Sequence, residues 1–444
     1  MKRILATVAW GISGSLGATA SLASPVCQEF RAPDLMPKKY AKLAPVLSNG
    51  ADGWLITNDQ MDLDYTPHAE VPDLLRSIAE EFARREMPLA IMIPPPRPLV
   101  AGQKVMDDFP NGAEMDVAEV SASFSAMISD IRSAGLIAPD LLLATQGKEA
   151  LPAEFYFRRD THWTPAGAAV SALALADEVA LTLPRLFPKA GSTDVTDLTL
   201  SETVTEKGSL NGMAKNVCGV ILPPETAPTL RFPQEEGGLL DEADNSKPRV
   251  ALAGSSFSDR YQRDFYQVAD ALAHALGAEV DNYSVSGGGA IGGLESLVLS
   301  GALTSGHYDL VVWELPYTES LSRTHFLRQL LGALRHEELG TPVATVGIDP
   351  QAKDMTVTPH DGTPGAVLVS LPESDLQRVA IDLRLADGSK ETLQLLRKDK
   401  VPAERRSDLW AVSLDGYDRK GIQQMKLRFK GGKPGQDATV SLYK

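Results

Sequence analysis

The amino-acid sequence predicts an α/β protein built on a parallel sheet flanked by helices, followed by a C-terminal all-β sandwich. Three observations carry this. Apolar runs without alternation recur between helix-spaced segments as far as residue 344, the pattern of strands buried on both faces. From residue 345 the texture changes to short alternating runs such as AVLVSL, RVAIDLRL, LWAVSL and MKLRFK, broken by Gly, Asp and Pro turns. The chain, at 444 residues, is long enough for two domains.

The elements follow in order. MKRILATVAWGISGSLGATASLAS places Lys2 and Arg3 before an uncharged run of apolar and small residues, which reads as a cleaved signal peptide over residues 1–23 and exports the rest to the periplasm. A membrane-anchored N-terminus is the other reading of that run. Residues 24–344 then form the α/β domain and residues 345–444 the sandwich. Pro33 to Pro45 is an irregular lead-in, GWLITND (Gly53–Asp59) a short strand, and Val71–Glu86 a helix with Leu74, Leu75, Ile78 and Phe82 on one face. PLAIMIPPP (Pro88–Pro96) is a buried strand stopped by its prolines. A helix spans about Val117–Ala134, and another starts at Thr164-Pro165, an N-cap followed by Pro at the first helical position. Residues 183–247, poorer in periodicity, read as long surface loops. RVALAG (Arg249–Gly254) is a buried strand turning through SSFS into a helix near Asp259. DNYSVSGGGAIGG (Asp281–Gly293) gives strand, glycine loop and helix, and YDLVVWELP (Tyr308–Pro316) a last buried strand, with a helix after it through Leu334.

Composition narrows the function. A net charge of −15 excludes nonspecific nucleic-acid binding, which needs a basic footprint. The charge is uneven: residues 351–444 carry 16 Lys and Arg against 13 Asp and Glu, so the C-terminal part is the less hostile to a polyanion. Two cysteines, Cys27 and Cys218, both follow the signal segment, and an oxidising compartment would let them pair; two buried thiols are the alternative. Seven scattered His and two Cys offer no metal-ligand spacing, and no cofactor is expected.

Two segments carry chemistry. Ser256 lies in Gly254-Ser255-Ser256 at a strand end, where backbone N–H groups favour a developing negative charge; a structural turn serine has the same signature. In Asp160-Thr161-His162 the carboxylate, two residues from the imidazole, can orient it as a general base, or His162 can merely cap a helix. Both segments sit where a strand runs out and a helix begins, the edge at which active sites of parallel sheets gather. Gly287 and Gly288 could bring a backbone N–H to an oxyanion or simply allow a tight turn. Tyr317, just past VVWELP, could donate its hydroxyl there or pack in the core.

GWLITND, YFRRDTHWTPAGA and LAGSSFSDRY together resemble the AlgX/AlgJ group of alginate O-acetyltransferases over roughly residues 45–335. That group has an SGNH-hydrolase-like domain with Asp-x-His ahead of the serine, the reverse of ordinary SGNH order and the order found here. The resemblance implies Ser256 as nucleophile, His162 as base and Asp160 as its orienting partner. Ser255 stands where many SGNH enzymes have Asp, a departure the group tolerates. The resemblance also implies a role for Tyr317 near the site, a Cys27–Cys218 bridge, and a C-terminal carbohydrate-binding sandwich of the AlgX type. In that sandwich Trp410 would be a sugar platform and Arg405 and Arg406 would pair with carboxylates; a strand-packing Trp with solvated arginines is the other reading.

The expected function is therefore acetyl transfer to hydroxyls of an anionic exopolysaccharide such as alginate, through an acetyl-serine. A membrane-bound O-acyltransferase would supply the acetyl group, and export machinery would be a further partner. A polysaccharide acetylesterase using the same triad, and a noncatalytic polysaccharide-binding export component, remain the alternatives.

Overall fold

The computed structural model describes residues 26–49, 53–107, 115–146, 153–233, 247–260, 268–304, 307–319, 321–359 and 362–444. The proposed signal peptide lies outside the described residues. At the centre is a four-stranded parallel sheet of β1 (Leu89–Met92), β2 (Arg249–Ala253), β3 (Glu279–Asn282) and β4 (Leu310–Glu314), ordered β1-β4-β2-β3. Ile137 adds a parallel bridge to Ala90 at the β1 edge. Strands β1 and β4 are buried along their whole length, as their unbroken apolar sequences require.

Among the described residues, seven helices of eight residues or more accompany this sheet: α1 (Val71–Arg84), α2 (Val117–Ser133), α3 (Pro165–Thr182), α4 (Ser209–Cys218), α5 (Val268–Leu276), α6 (Gly292–Leu299) and α7 (His325–Arg335). Pro72 in the first turn of α1 and Arg84 in its last suit the ends of a helix, and Leu74, Leu75, Ile78 and Phe82 form its buried face. Helix α3 begins where Thr164 Oγ accepts the Gly167 N–H at 3.2 Å. It is buried around most of its circumference and packs on α5.

Two segments differ from the sequence reading. GWLITND contributes only Leu55–Ile56, paired antiparallel with Leu47–Ser48 outside the parallel sheet. Residues 183–247 contain an antiparallel ribbon, Thr199–Glu206 with Glu225–Arg231, and helix α4 between its strands. Their periodicity is weak because the ribbon is largely exposed on one side, so burial selects few of its side chains. Of the helix expected near Asp259, the described residues show a first turn, with the Ser258 and Asp259 N–H groups on the Ser255 carbonyl, and α5 from Val268; the stretch between them lies outside the described residues. Cys27 and Cys218 form a disulfide that ties the end of α4 to the N-terminal segment, beside Phe30, Met36, Met213 and Leu222.

From Ala344 the chain forms two four-stranded antiparallel sheets. One runs Leu409–Ser413, Ala366–Ser370, Thr439–Tyr443, Ala344–Gly347; the other runs Asp354–Val357, Ile422–Lys430, Arg378–Leu385, Lys390–Leu396. Alternating residues of both sheets meet in one apolar core. Helix α7 joins this sandwich to the parallel sheet. A Cβ on Gly332 would stand 2.5 Å from the Val412 nitrogen, so the helix can approach the strand only with glycine there. The buried Arg328 donates to the carbonyls of Ser413 (3.3 Å) and Asp415 (2.9 Å) and to Glu70 (2.9 Å). Arg335 pairs with Asp415 at 2.7 Å, and Lys420 bridges Glu70 and Glu391.

Candidate active site

Residues 156–163 form a tight hairpin, with Tyr156 bridged to Trp163 and the Phe157 N–H on the His162 carbonyl. The sequence Phe-Arg-Arg-Asp-Thr-His leaves its tip rich in polar groups, and the fold supplies partners for them. The buried Arg97 donates to the carbonyls of Phe157 (3.0 Å) and Arg158 (2.7 Å), as well as to Leu55 and Gln60. Glu225, from the antiparallel ribbon, accepts the N–H groups of Arg158 (2.8 Å) and Arg159 (2.7 Å). A cation thus holds the hairpin's carbonyls and a carboxylate its amides.

Fixed in this way, Asp160 and His162 point together. Asp160 Oδ1 accepts the His162 N–H at 2.8 Å and lies 2.6 Å from His162 Nδ1. On the other side of the ring, Nε2 is 2.8 Å from Ser256 Oγ. Trp163 anchors the two segments to each other, its indole N–H donating to the Phe257 carbonyl at 3.0 Å. Asp160 is fully buried, and Arg260 grips both of its oxygens, at 2.6 and 2.7 Å, while the Ser209 N–H adds a third contact. Burial alone would raise the Asp160 pKa, but the hydrogen bonds and positive charge of His162 and Arg260 outweigh it and hold the carboxyl well below the usual range. Burial lowers the His162 pKa below 6.5; Asp160 opposes this, and Arg260 reinforces it. The ring is neutral at pH 7, with Nδ1–H directed at Asp160 and the Nε2 lone pair available to Ser256, the arrangement of a general base beside a nucleophile.

Residues 47–317 match the family model described as the SGNH hydrolase-like domain of the acetyltransferase AlgX. The chain belongs to the AlgX family. The alginate biosynthesis protein AlgX of Azotobacter vinelandii is 26% identical to it over 385 residues, spanning 83% of this chain and 74% of that protein. The probable alginate O-acetylase AlgJ of Pseudomonas aeruginosa is 28% identical over 282 residues, 60% of this chain and 68% of that one. The solved structure of Pseudomonas aeruginosa AlgX covers 94% of this chain and 98% of its own, with a TM-score of 0.69 at 20% identity, a likeness of fold.

In this AlgX-family chain the structure brings Asp160, His162 and Ser256 into one hydrogen-bonded line. The other sequence candidates fare differently. Gly288 donates its N–H to the Val285 carbonyl at 2.8 Å, closing a turn, and Gly287 packs against Lys400 of the C-terminal half. Tyr317 is buried with its ring edge-on to Phe257, the residue after Ser256, and its hydroxyl makes no hydrogen bond. Trp410 is not a sugar platform: it is 2% exposed, part of the sandwich core, with Arg397 stacked on it at 4.3 Å. Alternation places it on the inward face of its strand. Arg405 donates to the Tyr283 carbonyl, and Arg406 to the carbonyls of Val401 and Asp399, so both brace a loop.

Sequence reasoning missed Arg97, Glu225, Arg260, Ser209 and Glu314. Arg260 had a signal, standing four residues after Ser256 on the same segment. Glu314 had another, an acid closing an otherwise apolar strand. Arg97 and Glu225 carry none, since what they bind is backbone distant in sequence.

Proposed function

We propose that this chain is a periplasmic O-acetyltransferase that moves acetyl groups onto hydroxyls of an anionic exopolysaccharide, with alginate the first candidate. The observation that carries this reading is the hydrogen-bonded line from Asp160 through His162 to Ser256, on the fold of an acetyltransferase family. His162 Nε2 takes the Ser256 proton as Ser256 Oγ attacks the carbonyl carbon of an acetyl donor. The Ser256 N–H holds the oxyanion, the donor's leaving group departs with the proton from His162, and acetyl-Ser256 remains. A sugar hydroxyl then gives its proton to His162 and attacks the acetyl carbon; Ser256 leaves as alkoxide and recovers the proton. Asp160 stabilises the imidazolium in both steps without being protonated.

The acceptor's charge has a counterpart on the sandwich. Arg378, Arg397, Lys398 and Lys430, with Gln377 and Asp399, line a recess of about 240 Å³. Lys398 and Lys400 lie against Gly289 and Gly287, and the same loop reaches the nucleophile's turn through the Ser286 N–H on Asp259 at 2.9 Å. These cations, in place of Trp410, Arg405 and Arg406, are the groups suited to polymer carboxylates. The disulfide agrees with an oxidising compartment. A membrane-bound O-acyltransferase would be the acetyl source and export machinery the neighbour.

The test incubates the protein with an acetyl donor and mannuronate oligomers and reads added acetyl groups by mass spectrometry. Acetylated oligomers, lost in Ser256→Ala, are expected. Acetate release without acetylated sugar makes the protein an esterase, and no Ser256-dependent chemistry at all makes it a binding component.

A further inference from the structure

Glu314 closes β4 and is fully buried, at the end of a strand otherwise made of Leu, Val, Val and Trp. A carboxylate in that place loses its hydration, so its partners must replace the lost water. They all come from the turn that carries Ser256. The Ser255 N–H donates to Oε2 at 2.7 Å, and the Ser255 hydroxyl lies 2.9 Å from Oε2 and 3.2 Å from Oε1. The Ser258 hydroxyl reaches Oε2 at 3.3 Å. Ser255 Oγ in turn accepts the Phe257 N–H at 3.2 Å, so the carboxylate is coupled to residues on both sides of the nucleophile. Gly254 belongs to the same arrangement: a Cβ there would stand 2.5 Å from Glu314 Oε2. The turn begins with glycine because the carboxylate occupies the space of its side chain.

We propose that Glu314 is a positioning residue for acyl transfer, one that holds the Gly254–Ser258 turn through Ser255 and Ser258 and so presents Ser256 Oγ to His162. The inference rests on the reading of Ser256 as the nucleophile. Ionised, the carboxylate accepts from all three donors at once. Protonated, it must itself donate a hydrogen, a serine hydroxyl has to turn from donor to acceptor, the charge-assisted contacts weaken to neutral ones, and the turn loosens. Burial raises the Glu314 pKa to about 7, the serine donors only partly opposing it, so this change falls within the working range of pH. Among the described residues, Tyr156 is coupled electrostatically to Glu314, and burial keeps the Tyr156 hydroxyl neutral.

The experiment measures acetate release from a chromogenic acetyl ester by the wild-type protein and by Glu314→Gln, Ser255→Ala and Ser256→Ala, across pH 5.5 to 9, with a thermal melt of each. Glu314→Gln keeps the side chain's size and should stay folded. Its kcat at pH 8 should fall roughly tenfold or more, the rate equivalent of one charge-assisted hydrogen bond, with KM within about twofold of wild type. Its pH profile should lose the step near 7 and keep only the lower step of His162. Ser255→Ala should lose activity in the same direction, and it decides the matter if Glu314→Gln does not fold. A folded Glu314→Gln with wild-type kcat, or with a reduced kcat and an unchanged pH profile, overturns the positioning role. If Ser256→Ala still releases acetate, it is the acyl-transfer reading that has failed, and with it the basis of the proposal.

Discussion

His162 is suited to act as a base because two opposing effects leave it neutral. Burial disfavours its charged form, Asp160 favours it, and Arg260 takes much of the Asp160 charge for its own pair. An NMR titration of the ring should therefore give a midpoint below 6.5, with the neutral form, and hence the active one, present above it. Arg260 is the residue that makes this balance possible. Arg260→Lys keeps a charge but loses the two-pronged grip on Asp160, so kcat should fall by about 10- to 100-fold, with the His162 midpoint moving up as Asp160 turns wholly to the ring. Removing the cation with Arg260→Ala leaves a buried carboxylate half-paired and should cost about 3–5 kcal/mol in a denaturation measurement. The Asp160 pKa is depressed on folding, so its pair stabilises the protein above the ordinary carboxylate range and that contribution is lost as pH falls toward the depressed value. The motif Asp-x-His pointed to the pairing of carboxylate and imidazole; nothing in it told that a third residue, a hundred positions on from the carboxylate, sets their charge.

Among the elements, the hairpin of residues 156–163 depends on supports that local propensity does not provide. Its N–H groups at Arg158 and Arg159 find their acceptor in Glu225, on a ribbon read from sequence as loop. Glu225→Ala should lower the melting temperature by several degrees, since two backbone donors lose their partner, and should reduce kcat more than it changes KM, since the hairpin aims His162. Helices and buried strands were legible because burial writes itself into periodicity: Leu74, Leu75, Ile78 and Phe82 of α1 are one such stripe, and the run Leu-Ala-Ile-Met of β1 another. The ribbon was not, because few of its side chains are buried.

For the molecule as a whole, the sandwich is fastened to the α/β domain mainly through α7. Arg328→Ala should separate the two halves thermodynamically, giving two calorimetric transitions where the wild type gives one, because the buried guanidinium links Glu70 to carbonyls of the sandwich. The cation-lined recess makes its own prediction. Lys398→Ala with Lys430→Ala should weaken binding of mannuronate oligomers roughly 3- to 10-fold, and flatten its salt dependence, while turnover of a small acetyl ester stays unchanged. The excess of Lys and Arg over Asp and Glu in residues 351–444 includes the four cations that line this recess. Trp410 is the inward-facing member of an alternating strand, and which face points inward is decided by the opposite sheet.

The sequence by itself determined the fold class, the existence of a C-terminal β module, and the three side chains that meet in one hydrogen-bonded line, because each is written in local pattern: periodicity, turn residues, or a motif of fixed spacing. Tertiary structure alone decided how those side chains are held and charged. Arg97, Glu225, Arg260 and Glu314 act on groups brought near by the sheet and its crossings, and a hydrogen bond between distant segments leaves no period in either of them.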